Sequence, residues 1–221
     1  MTDKEEDLRQ WRLPRGRHGL PRETVTRSQR ERLLAAVVRV TAAKGYANTT
    51  VADVLNEAGV GRETFYELFD DKLACMLAAH KVLMDDLEAR VSEAYGQPGP
   101  WERRVVAGLA AALEWFANDP AASRFVLLEL GAIGPESMVR FRSHFARFVE
   151  MLDEGLEGDE RDPDMPQASS LAVGATFARV YEEVVLDRAA ELPSLLPVMT
   201  YELLVPFLGE EVARAEQRRV S

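Results

Sequence analysis

The chain is 221 residues long, 47% hydrophobic and 29% charged, with 14 glycines, 11 prolines and a net charge of -10. A chain of this size can bury roughly 70% of its unfolded surface, and its apolar content is too high for disorder and too irregular for a fibre. One cysteine excludes an intrachain disulfide and a cysteine-built zinc site, and three scattered histidines offer no metal set, so neither cofactor nor metal is expected.

The longest apolar runs, such as 105–113, fall short of the roughly 20 residues a bilayer span needs, and the start Met1-Thr2-Asp3-Lys4-Glu5-Glu6-Asp7 is acidic where a signal peptide is basic and then apolar. The expectation is a cytoplasmic protein with no membrane partner. Charge is unevenly distributed. Residues 9–46 carry ten bases against two acids, a net of +8, whereas residues 73–221 carry fourteen bases against twenty-five acids, a net of -11. Such a chain either brings one end to a polyanion while the rest is repelled, or simply has one basic solvated face.

In chain order, residues 1–26 form a basic N-terminal arm. Its stretch 12–22 holds two prolines, two glycines and four arginines and cannot be a regular helix. Apolar residues recurring from Leu33 to Thr41 predict a first helix over about 27–44, stopped by Gly45. Thr49-Thr50 offers an N-cap for a short second helix over 51–58, with Asp53 at the third position as in a capping box, and Gly59 ends it. A Gly59-Val60-Gly61 turn leads to a third helix over 62–69, and a long helix over about 70–95 follows, closed by Gly96-Gln-Pro-Gly-Pro100. Beyond lie predicted helices near 101–118, 120–132, 135–155, 167–191 and 194–217. No segment alternates with period two, so the class is all-α: three helices over 27–72 after the arm, a connecting helix over about 70–95, and a helical region over 96–221.

Two short helices joined by a glycine turn suit a helix-turn-helix, in which one helix crosses the DNA backbone and the next enters the major groove. The stretch from Thr50 to Lys72, with the upstream Gly45-Tyr46 and Thr49-Thr50, resembles the N-terminal DNA-binding domain of the TetR family of bacterial transcriptional repressors. The resemblance covers about residues 27–75; the remainder matches that family in length and helix count. It implies that Thr50 caps the second helix on the DNA backbone, that Arg62 and Thr64 face base edges, and that Tyr66 and Lys72 contact DNA, with Arg27 and Gly61 completing the set. The residue types suit those roles, since arginine pairs bidentately with guanine and lysine and tyrosine bind phosphate. Phe65 and Phe69 fall on the opposite, core-facing side.

Three departures from the family's pattern stand out: Gly61 replaces a capping serine, Glu67 and Leu68 replace residues that reach phosphate, and Glu63 and Glu67 bring acid near DNA. Glu63 either accepts from a cytosine amino group or faces solvent. The arm is a source of compensating attraction. Pro14-Arg15-Gly16-Arg17 looks like an AT-hook core, so Arg15 and Arg17 either enter an A·T minor groove or hold phosphate loosely.

In the C-terminal half, Trp115, Phe116, Phe125, Phe141, Phe145, Phe148, Phe177 and Tyr181 are the candidate lining of a largely apolar ligand cavity, with His80, Glu114, Glu129, His144 and Arg179 as polar candidates. The last two helices carry more apolar surface than one chain needs. In the resembled family this pair forms a four-helix dimer interface, which implies a homodimer. Cys75 has no base in phase with it, and no phosphate loop, dinucleotide fingerprint or His-Glu-x-x-His occurs, so no enzyme is expected. The reading is a dimeric regulator, most simply a repressor, that binds a palindromic double-stranded DNA operator and is released by a small, largely apolar effector. Its rivals are a ligand-independent architectural DNA-binding protein and a ligand-binding protein that has lost operator recognition.

Overall fold

The computed structural model describes residues 21–129, 145–156 and 167–221. Arg15, Arg17, Phe141 and His144 lie outside the described residues, as does the acidic tract 157–166. Among the described residues every regular element is helical, and the chain divides into two compact units between Ala79 and His80. The glycine-proline break at 96–100 falls inside the second unit.

In the first unit, α1 (Arg22–Lys44) starts five residues before the predicted position, because Pro21 accepts the first helical amides of Thr24 and Val25 through its carbonyl and needs no donor of its own. Its buried stripe of Leu33, Leu34, Ala36, Val37, Val38 and Thr41 recurs at helical spacing. Gly45, at φ 78°, turns the chain out of α1, and α2 (Val51–Ala58) and α3 (Arg62–Leu68) follow. Phe65 is fully buried and Phe69 nearly so, their rings 5.7 Å apart, which places both in the core of this unit as their spacing implied. Cys75 is also buried, and loss of solvation pushes its thiol up to about 12, so it is an inert packing group.

Helix α4 (Lys72–Tyr95) carries the chain across the division. In the second unit α5 (Trp101–Asn118) packs against α8 (Leu196–Arg219) and the 3-10 turn Ala189–Leu195, and α7 (Ala168–Val185) packs against α6 (Pro120–Arg124) and α8.

Three helices differ from expectation. The segment begun by Pro120 is α-helical only to Arg124 and then takes a π-helical turn, Phe125–Glu129. The helix expected over 167–191 stops at Val185; Asp187 then takes a φ of 57°, and Arg188 precedes the 3-10 turn Ala189–Leu195. Helix α8 is interrupted at Gly209, φ 75°, just after Pro206. The stretch Ala189–Arg219 is long and apolar enough to cross a membrane by length and composition. Its Leu192, Met199, Leu203 and Leu204 are nevertheless buried in the protein core.

Candidate DNA-binding face and effector cavity

Helix α2 is fixed at both ends. The Thr50 hydroxyl accepts from the Asp53 amide at 3.2 Å, and the Asp53 carboxylate accepts from the Thr50 amide at 3.0 Å, a complete capping box. Lys44 donates to the same carboxylate at 2.6 Å, and together these bonds hold Asp53 well below the usual carboxylate range. At the other end of α2, Arg32 reaches across from α1 and donates to the carbonyls of Ala58 and Gly59, the latter at 2.7 Å. Arg39 pairs with Glu57 at 2.8 Å.

Basic residues of α1 that looked available to DNA are therefore partly committed to clamping α2. Arg30 lies over the Phe69 ring at 5.7 Å. Lys72, expected to touch phosphate, donates to the carbonyls of Tyr46 at 2.8 Å and Thr49 at 2.7 Å and sits 4.0 Å from the centre of the Tyr46 ring. One of its three ammonium protons is left for another acceptor. This clamping role was absent from the sequence reading; the signal available was the placement of Arg39 and Lys44 on one helix and Glu57 and Asp53 on the next.

Helix α3 opens at Gly61, which makes no side-chain cap; a Cβ there would meet nothing within 4 Å. From this start Arg62, Glu63, Tyr66 and Glu67 are exposed, Thr64 is half-buried and Phe65 points inward. Arg62 and Tyr66 share one helix face by their four-residue spacing. Tyr66 is 49% exposed and rests edge-on against Phe65 at 5.3 Å, so its hydroxyl is held outward by a packed base. Arg27 is exposed near the start of α1 and Thr50 at the start of α2. The first unit thus presents a rigid short helix whose exposed face carries one arginine, one tyrosine and two acids.

The second unit is hollow. A cavity of about 130 Å³ is lined along α4 by Met84, Leu87, Val91 and Tyr95, along α5 by residues from Val105 to Phe116, and along α7 by Val173, Thr176, Phe177 and Val180. Val126 and Leu127 of the π-helical turn both face it, consecutive residues that the wider turn brings to one wall. Phe145, Phe148, Met151 and Leu152 from the helical stretch 145–153 close another side. Tyr95 and Thr176 alone among these described residues carry a hydroxyl.

Four of the aromatic candidates, Phe116, Phe145, Phe148 and Phe177, line this space. Three others are placed elsewhere. Trp115 turns its indole to Asp86, donating at 2.8 Å, Phe125 is packed in solid core, and Tyr181 is exposed. None of the described polar candidates lines the cavity: His80 is buried away from it, and Arg179 borders a separate surface hollow with Leu171, Ala172 and Ala175 of α7 and Met199 and Glu202 of α8. The aliphatic wall from Val91 and Leu109 was missed, since its residues read as ordinary core. Leu171, Val185, Leu186, Val198 and Val212 leave the outer surface of α7 and α8 apolar, Leu171 being 69% exposed.

Residues 33–79 match the sequence profile described as bacterial regulatory proteins, tetR family. Over this span the chain carries the N-terminal domain of the tetR family. That span contains α2, the turn and α3 together with the buried stripe of α1, so the family's DNA-binding unit coincides with the clamped helix-turn-helix described above. An uncharacterised helix-turn-helix transcriptional regulator encoded 3' of lacX in Lactococcus lactis subsp. lactis is 24% identical over 140 residues, 59% of this chain and 69% of that protein. In fold, the chain is similar to the fatty acid degradation regulator FadR of Bacillus halodurans (TM-score 0.71, 20% identity, 79% of this chain and 94% of that one). It is also similar to FadR of Bacillus subtilis in complex with stearoyl-CoA (TM-score 0.68, 20% identity, 81% and 98%). The matched domain is that of DNA-binding transcriptional regulators.

Proposed function

We propose that the protein is a repressor that binds a palindromic operator as a homodimer and is released by a small, largely apolar effector. The observation that carries the reading is the hollow second unit: a cavity walled almost wholly by hydrocarbon, in a chain whose first unit presents a helix-turn-helix. A space of about 130 Å³ walled by hydrocarbon, with two hydroxyls, suits a short alkyl or acyl chain better than a polar metabolite. The stearoyl-CoA held by the similarly folded Bacillus subtilis regulator supports that choice. The exposed apolar surface of α7 and α8, with Ala172 and Ala175 allowing close approach, supports pairing of two copies there.

On DNA, Arg62 and Thr64 face base edges, Tyr66 and the remaining proton of Lys72 take phosphate, and Thr50 meets the backbone beside them. Arg15 and Arg17 add sequence-independent or minor-groove attraction that the acids of α3 make necessary. The effector acts by preferring one conformer, because equal affinity for both would shift nothing. No catalytic role is assigned.

Selection of bound fragments from genomic DNA tests this. One palindromic consensus, released by acyl compounds, is the expected result; A·T-rich fragments without a consensus and without release would establish architectural binding instead. Deletion of residues 1–20, which leaves α1 whole, is expected to weaken operator binding and flatten its salt dependence.

A further inference from the structure

The cavity ends, at the C-terminus of α4, against a small polar cluster. The Tyr95 hydroxyl donates to the Glu154 carboxylate at 2.8 Å, and the Met151 carbonyl lies 2.9 Å from the same hydroxyl. Arg104 donates through Nη2 to that same Glu154 oxygen at 3.0 Å and through Nε to the Tyr95 carbonyl, its guanidinium 4.1 Å from the ring centre. Burial, reinforced by Glu154, pushes the Tyr95 hydroxyl up to about 12, so at neutral pH it is a donor. Tyr95 and Met151 line the cavity, and Arg104 and Glu154 stand one bond further out, 28% and 46% exposed.

The carboxylate is held there by construction. Trp101 donates its indole N–H to the Met151 carbonyl at 3.0 Å, and the turn Glu154–Leu156 lies so close on the indole that a Cβ at Gly155 would come within 2.3 Å of it. One carboxylate oxygen thus accepts from a buried phenol and a surface guanidinium at the mouth of an apolar cavity. The Arg104–Glu154 pair is open to water and so weakly held, which lets a second carboxylate tethered by a buried chain compete for the same two donors.

We infer that the effector is a single-chain carboxylate amphiphile, whose alkyl chain fills the cavity and whose carboxylate replaces that of Glu154 on Tyr95 and Arg104. This rests on the ligand-responsive reading above and adds to it the head group and the residues that select it.

The test is calorimetric titration of the full chain with hexanoate, 1-hexanol and hexanoyl-CoA, whose short tails match a cavity of about 130 Å³. Hexanoate is expected to bind about ten-fold or more tightly than the alcohol, the difference a charge-assisted hydrogen bond makes. Arg104→Met should abolish that preference while leaving alcohol binding intact, which also reports an intact cavity. Glu154→Gln should tighten the acid and leave the alcohol unchanged. Equal binding of acid and alcohol by the wild type overturns the head-group assignment alone, as does a preference that survives Arg104→Met. Tight binding of the thioester with acid and alcohol equally weak places the head elsewhere and also overturns it. Failure of all three compounds to bind overturns the effector reading itself, and this inference with it.

Discussion

The two units solve opposite problems with the same secondary structure. In the first, a 7-residue helix must present side chains at fixed positions, and polar bonds brace it: the Thr50–Asp53 box, Arg32 on the Ala58 and Gly59 carbonyls, and Lys72 on Tyr46 and Thr49. In the second, α4, α5 and α7 stop short of filling the space between them, and hydrocarbon lines what remains. Precision of position comes from directional bonds, whereas capacity to accept a guest comes from withholding contacts that a solid core would make.

Truncating one aromatic in each unit gives the largest test of that contrast. Phe65→Ala removes a ring packed on all sides and should cost about 3–5 kcal/mol. Phe116→Ala removes a ring that already faces empty space, so it should cost distinctly less, because fewer contacts are lost. Urea unfolding of both variants measures the pair, and equal losses would mean that the second unit is as tightly packed as the first.

Next in size is the exposed face of α3. Arg62→Ala should weaken operator binding by about 1–3 kcal/mol and relax base preference at one position of each half-site, with the melting temperature unchanged. Anisotropy titration against the selected operator and its single-base variants reads both effects.

Smaller still is the brace at the start of α2, where Thr50→Ala should cost about 1 kcal/mol of stability. The same box makes a pH prediction. Asp53 has its folded pKa lowered from 3.8 by Lys44 and Thr50, so between these values the unfolded chain binds more protons. Its stabilisation is complete above the unfolded value and is lost as pH falls below about 4. Asp53→Asn should therefore flatten the acid limb of a plot of melting temperature against pH; an unaltered limb would remove Asp53 from the brace.

The first unit was largely legible because its devices are local. A capping box spans four residues, and glycines at 45 and 59 stop two helices with positive φ, so spacing alone announces them. What was not legible there is the fate of the bases: net charge cannot distinguish an arginine facing DNA from Arg32, folded back onto a carbonyl pair twenty-six and twenty-seven positions away. In the second unit, periodicity gave helices but could not say where space is left between them. Phe116 and Trp115 are neighbours in sequence, yet one lines the cavity and the other bonds to Asp86. The π-helical turn shifted Phe125 into solid core and Val126 and Leu127 onto the wall, a change of register with no sequence signature in this segment.

The contact between Arg32 and the turn at Gly59 binds the fates of two distant positions. Any side chain at 59 would both adopt a strained backbone at φ +60° and meet Arg32 Nη2 at 3.0 Å, while a small residue at 32 would clear the space and leave two carbonyls bare. Neither replacement cures the defect left by the other. Substitution in this corner is therefore closed to single steps, and the hinge of the recognition element is protected by a residue on a different helix.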